Sequence, residues 1–232
     1  SNDDSPDYYE AMAYYIVLLL SSGCRYDALM LTRQMNKRLM PYDSDHLRAL
    51  RCYVLGSYYC YMNKGYAAIR ILKKGLDYLS QDFFCEYQNA LGCAYLSVGD
   101  WNNSEKCFLE AYEASMMEGS FLPHLHMNLI QLYNFKCEFN RASYYYKTLN
   151  DVKFKFNNDF METLLELLFI PITEATGDRE GINLSYENLT NKLLIKAHWG
   201  SIPLYHFSYL RLYIIAGDHL FRCKDYKNSM RL

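Results

Sequence analysis

Leu91-Gly92-Cys93-Ala94-Tyr95, then Gly99-Asp100-Trp101, then Phe108 and Ala111: this stretch decides how the chain is read. It sets a small residue, an aromatic and two further packing residues at the intervals of a two-helix hairpin. Gly92 lets a second helix cross close to the first. Tyr95 fills the gap left between them. Gly99-Asp100 closes one helix and opens the next, glycine suiting a helix end and Asp100 or Asn102 suiting an N-cap. Ser104, Phe108 and Ala111 recur at helical spacing and face back onto the first helix.

The same pattern recurs along the chain. A second copy reads Leu55-Gly56, Tyr59, Ala68 and Leu72. A third reads Leu129, Tyr133, Phe139, Ala142 and Tyr146, with Ile130 in place of the small residue. Looser copies run from Tyr15 to Met35, turning at Gly23, and from Phe169 to Leu189, turning at Gly177-Asp178. A last one, Ala216-Gly217, Leu220, Lys224-Asp225-Tyr226 and Ser229, is cut short by the end of the sequence. The copies predict helix pairs over 6–21 with 25–40, 43–62 with 65–80, 82–98 with 101–118, 121–137 with 140–156, and 159–175 with 179–197. A sixth pair joins 202–222 to a helix begun near 225. Pro41, Pro123 and Pro203 fall near junctions, where a missing N–H costs little. Pro171 falls inside a predicted helix and should kink it. A chain that stops a turn or two into a twelfth helix reads as part of a longer protein.

This arrangement resembles the tetratricopeptide repeat family. Residues 85–118 carry the resemblance best, although Gln88 stands where the family often has Trp and Ser104 where it prefers Ala. The spacings from Leu55 through Leu91, Leu129 and Phe169 to Ala216 are 36, 38, 40 and 47 residues. They exceed the family's period of about 34 residues, and longer helices are the simplest cause. The resemblance implies an all-α fold: a right-handed superhelical solenoid of antiparallel helix pairs, forming a single domain over residues 1–232. Such long-period arrays also resemble the helical sensor region of MalT-type, LuxR-family transcription regulators.

Composition agrees with the helices and narrows the function. A hydrophobic share of 51% supplies a core. Only 5 Pro and 11 Gly argue against a sandwich of many short strands. The net charge of −2 lacks the basic excess of a phosphate-gripping module, so no direct nucleic-acid binding is expected. The eight Cys form no C-x-x-C and no cluster; they read as free thiols serving as small core residues, in a reducing, cytoplasmic setting. The apolar run Ala11 to Leu20 follows acidic rather than basic residues and is shorter than the ~20 residues a bilayer needs, so it reads as a buried helix, not a membrane segment.

The residues do not spell out a reaction. Phosphate-cradling, zinc-protease and nucleophile-elbow motifs are absent from the sequence. His124 and His126, two apart on a helix, point in different directions. Glu162 and Glu166 share one helix face without a companion ligand and read as solvated. Of Tyr144-Tyr145-Tyr146, at least one must face solvent or a partner. No enzyme, cofactor or metal is therefore expected.

In the resembled family the first helix of each pair lines a concave groove, and its positions 2, 5, 9, 12 and 13 carry ligand contacts. Carried over residue by residue, those positions give Tyr53, Ser57, Cys60 and Tyr61, then Glu86, Asn89 and Cys93, then His124, Met127, Gln131 and Asn134, and finally Arg211 and Asp218. The Lys and Asn pair with which some family members clamp a peptide carboxylate is missing. The resemblance implies a non-enzymatic scaffold that binds a protein or peptide in this groove. The alternative is a ligand- or partner-sensing domain of a bacterial LuxR/MalT-type regulator whose DNA-binding domain lies outside this chain. A homo-oligomer is left open.

Overall fold

The computed structural model describes residues 5–21, 24–39, 44–120, 122–151, 159–177 and 179–195. The sixth helix pair lies outside these residues, as do Gly23, Pro41, Asp178, Pro203 and Cys223. Among the described residues the chain forms ten α-helices and no strand. They are α1 (Pro6–Ser21), α2 (Arg25–Leu39), α3 (Asp45–Tyr61), α4 (Gly65–Gly75), α5 (Phe84–Ser97), α6 (Trp101–Met117), α7 (Pro123–Phe135), α8 (Phe139–Asp151), α9 (Asp159–Thr176) and α10 (Arg179–Ile195). The expected pairing is observed as α1/α2, α3/α4, α5/α6, α7/α8 and α9/α10. The fold is an all-α helical repeat. No helix among the described residues is long and apolar enough to cross a membrane.

The chain divides into two compact units, Ser1–Leu125 and His126–Leu232. In the first unit, packing passes from each hairpin to the next: α1 against α2, α3 against α4 and α5 against α6, with α3 also lying against α1, α2 and α5, and α4 against α5. Glycines sit at the helix crossings of two hairpins. A Cβ on Gly56 would run into Leu72, and one on Gly92 would sit 2.5 Å from the Phe108 ring. Leu72 and Phe108 are both fully buried, so the second and third repeats use the same small-against-large contact. Ser104 also earns its place in the sequence here, because its hydroxyl donates to the Gly92 carbonyl at 2.9 Å and ties the crossing together.

One predicted boundary is corrected. The helix expected over 65–80 ends at Gly75 and tightens into a 3-10 turn at Leu76–Tyr78. Tyr87 is the cause. Its hydroxyl donates to the Leu72 carbonyl at 2.8 Å, and the Leu76 N–H bonds the Lys73 carbonyl instead. Gly75 leaves the space, since a Cβ there would collide with the Tyr87 hydroxyl.

The turns between paired helices repeat at the level of the backbone. Asn63, Gly99, Cys137 and Gly177 stand at the same place in four repeats, and all have positive φ, at 58°, 77°, 57° and 71°. In three of them the next residue's N–H reaches back to the aromatic of the repeat: Lys64 to Tyr59, Asp100 to Tyr95 and Glu138 to Tyr133, at 2.8, 3.1 and 2.9 Å. This is the hydrogen-bond pattern of a left-handed helix end, usually closed by glycine. Asp100, not Asn102, caps α6, accepting from the Asn103 N–H at 3.2 Å.

The second unit is held by stacked aromatics. Tyr133 of α7 lies parallel to Tyr145 of α8, with centroids 5.7 Å apart, and the Arg141 guanidinium sits 4.5 Å from the Tyr133 ring centre. Tyr146 stacks on Phe169 of α9 at 4.2 Å, while Tyr144 is the exposed member of the triplet. The helix α9 continues through Pro171. Glu166 is half-buried, not solvated as its sequence neighbourhood suggested; the carboxylate is within electrostatic reach of Tyr146.

Candidate partner-binding face

Three first-of-pair helices, α1, α3 and α5, lie in sequence order in the first unit, α3 against each of the others. Phe83, in the turn just before α5, is the centre of an aromatic cluster that joins them. Tyr14 of α1 meets it edge-on at 6.5 Å, Tyr53 of α3 edge-on at 4.9 Å, and Tyr87 of α5 at 5.9 Å. His46 of α3 tilts against the same ring at 6.3 Å and holds Glu10 of α1 at 3.8 Å, an ion pair when the imidazole is protonated.

The residues expected to line the groove divide by burial. Tyr53 and Ser57 are each 6% exposed. They serve the packing between helices, because position on the first helix of a pair fixes direction while the thickness of the neighbouring side chains fixes depth. Met127, in the second unit, is buried for the same reason. Tyr61, Glu86, Asn89, Cys60 and Cys93 are half-buried and His124 is exposed. Of the second unit's residues, Gln131 is half-buried, and Asn134 donates its Nδ2 to the Leu168 carbonyl at 2.7 Å, which commits that side chain to α9. His126 is buried against Tyr145, so the two histidines do point apart. Arg211 and Asp218 lie outside the described residues.

Electrostatics show which of these groups share one environment. Burial pushes the Tyr14 phenol up to about 12, and the carboxylates of Glu86 and Glu10 add to the effect. Burial first, then Tyr14, Glu86 and Tyr61, raise Tyr53. Glu86 itself is raised, chiefly by burial, with Glu118 and Glu10 contributing. The first unit therefore brings Tyr53, Tyr61 and Glu86 together and adds Glu10, Tyr14, His46 and Phe83, which the sequence reading passed over. A signal for Glu10 existed: it stands five residues before Tyr15, as Glu86 stands five before Leu91. The loose fit of the first repeat concealed it.

Among the described residues the cysteines form no disulfide, and their placement is mixed. Cys85 and Cys107 are buried as core residues, Cys52, Cys60 and Cys93 are half-buried, and Cys24 and Cys137 are exposed beside turns. Burial raises Cys60 to about 11 and Cys107 to about 12, and it raises Cys93 as well. These thiols are protonated at neutral pH and poor nucleophiles.

Comparison with known proteins bears on the fold. A chain from the crystal structure of the APC/C hetero-tetramer Cut9–Hcn1 superposes with a TM-score of 0.68 over 99% of this chain and 39% of that one, at 14% identity. The fold is TPR-like. PilF of Pseudomonas aeruginosa gives a TM-score of 0.47 at 15% identity, covering 79% of this chain and 90% of that one. This chain thus spans about two-fifths of the length of the Cut9–Hcn1 chain it matches. No family model and no curated protein matches the sequence. The resemblance to MalT-type regulators gains no support from these neighbours.

Proposed function

We propose that this chain is a non-enzymatic interaction scaffold that binds a protein or peptide along the face built by α1, α3 and α5. The observation that carries this reading is the side-by-side placement of those helices with half-buried Tyr61, Glu86 and Asn89 on them. Half-buried polar and aromatic side chains on rigid helices lose little freedom when a partner orders them, which favours recognition. Asparagine matches the donors and acceptors of a peptide backbone, and tyrosine combines apolar area with a polar tip. His124 and Gln131 are proposed as partner contacts in their own right. The Cut9–Hcn1 chain, matched over 39% of its length, belongs to a hetero-tetramer, which supports assembly with other proteins as the use of such a fold.

Selection of displayed peptides on the purified chain tests the reading. Selected peptides should lose tenfold or more of their affinity on Asn89→Ala and keep it on Lys106→Ala, an exposed position on α6. Equal affinity for both variants, or no selectable peptide, would remove the face from consideration.

A further inference from the structure

The hairpin α1/α2 carries an apolar face on the side away from its neighbours. Its helices pack on each other and on α3. Ala13 and Ile16 of α1, and Ala28 and Thr32 of α2, are buried in that packing. Tyr15 and Leu18 stand on the opposite side of α1, and Tyr26 and Met30 on the opposite side of α2, all between 47% and 73% exposed. Four large apolar side chains grouped on one hairpin form a patch, not the scattered exposure that needs no explanation.

The charges at one end of the hairpin narrow what covers it. α1 begins with Asp7, and α2 ends with Lys37 and Arg38. All three are exposed, and among the described residues no ion pair engages them. The helices are antiparallel, so acid and base stand at the same end. Counted back from Ser21, Leu18, Tyr15 and Asp7 lie 3, 6 and 14 residues along α1. Counted on from Arg25, Tyr26, Met30, Lys37 and Arg38 lie 1, 5, 12 and 13 residues along α2. At a rise of about 1.5 Å per residue, each of these groups has its counterpart on the other helix within one turn.

We propose that this face docks onto the same face of a second copy of the chain, about a two-fold axis parallel to the helices. Such an axis exchanges α1 with α2 and keeps the ends together. Leu18 and Tyr15 then meet the partner's Tyr26 and Met30, and Asp7 meets the partner's Lys37 and Arg38. Each contact is made twice, as in any isologous pair. A two-fold running across the helices would reverse the ends and set Lys37 and Arg38 against the partner's Tyr26, stranding charge on apolar surface. The favoured axis passes between the two helices, and Cys24, exposed just before α2, stands beside it. Helices of 16 and 15 residues give a face about 23 Å long and about 20 Å wide. That is at the small end of specific interfaces, so the dimer exchanges with monomer and depends on concentration.

This inference goes beyond the scaffold reading and does not rest on it. Sedimentation equilibrium of the full chain over a wide range of concentration should show monomer and dimer and no larger species. Met30→Glu changes an exposed position, so helix content should hold while dimerisation weakens about tenfold or more. Asp7→Lys should also weaken the dimer, and adding Lys37→Glu and Arg38→Glu to it should restore the dimer. A short bismaleimide should join two chains through Cys24, and Cys24→Ser should abolish that product. Peptides selected on the face of α1, α3 and α5 should bind Met30→Glu unchanged, so loss of the dimer and loss of the peptide are read separately. A chain that stays monomeric at every concentration would overturn the proposal and leave the face to a different protein. A dimer indifferent to Met30→Glu, or a combined charge reversal that fails to restore association, would overturn it as well.

Discussion

At the scale of single residues, a missing methyl group sets the spacing of the hairpins. Gly92 faces the fully buried Phe108 ring, and an added Cβ would approach it to 2.5 Å. A ring in a packed core cannot swing aside cheaply, so Gly92→Leu should destabilise by about 1–3 kcal/mol. A thermal melt is the check, and an unchanged midpoint would mean that the crossing is looser than this contact implies. Cys137 offers the opposite sign. It holds φ at 57° where Gly99 holds the equivalent turn, and a non-glycine residue there is strained. Cys137→Gly should stabilise by about 0.5–1 kcal/mol, the strain relief being partly offset by the extra freedom glycine brings to the unfolded chain. A denaturant midpoint that falls would contradict the assignment. The glycine at Gly99 marks this turn for a reader of the sequence; Asn63 and Cys137 do so only once their shared offset from Leu55 and Leu129 is noticed.

At the scale of the element, helix positions were legible because each hairpin repeats one solution to one packing problem. Apolar spacing, a turn glycine and an N-cap such as Asp100 all act within a few residues, so each leaves a local trace. Depth was less legible. Tyr53 and Tyr61 both occupy positions expected to face a groove, yet Tyr53 is 6% exposed because Phe83, outside its own repeat, closes over it. The end of α4 at Gly75 was hidden for the same reason: the hydroxyl that captures the Leu72 carbonyl belongs to Tyr87, fifteen positions away. Asn134 is a third residue whose role depends on a distant bond. It donates from α7 to the Leu168 carbonyl of α9 at 2.7 Å. Asn134→Ala should cost about 1 kcal/mol. Asn134→Asp should cost more, because a carboxylate cannot donate to that carbonyl and brings a partly buried charge. Chemical denaturation of the two variants checks the order, and equal losses would mean that the donor is not what matters.

At the scale of the whole chain, the abundance of tyrosine and cysteine makes stability depend on alkaline pH. The unfolded chain ionises its thiols near pH ~8.5 and its phenols near ~10. Folding holds many of them neutral: Cys60 is raised to about 11, Cys107 to about 12 and Tyr14 to about 12, with Tyr53, Tyr61, Tyr87 and Cys93 also raised by burial. A group raised on folding contributes its stability in full below the unfolded value and loses it as pH climbs toward the folded one. Between about pH 8.5 and 11 the folded chain therefore binds more protons than the unfolded chain, and the free energy of unfolding falls as pH rises. Glu138 has the reverse sign but a different window. Hydrogen bonds from Lys136 and Arg141 lower it, so its contribution is present above the ordinary carboxylate range and fades as pH drops through its depressed value. The expected outcome is a melting temperature that declines steadily above about pH 8.5. Tyrosinate absorbance from Tyr53, Tyr61 and Tyr87, whose phenols burial raises, should appear together with the loss of helix. A single smooth titration with helix intact would mean that the interior tyrosines are reached by water in the folded chain, and the aromatic cluster around Phe83 would then be more open than its ring contacts describe.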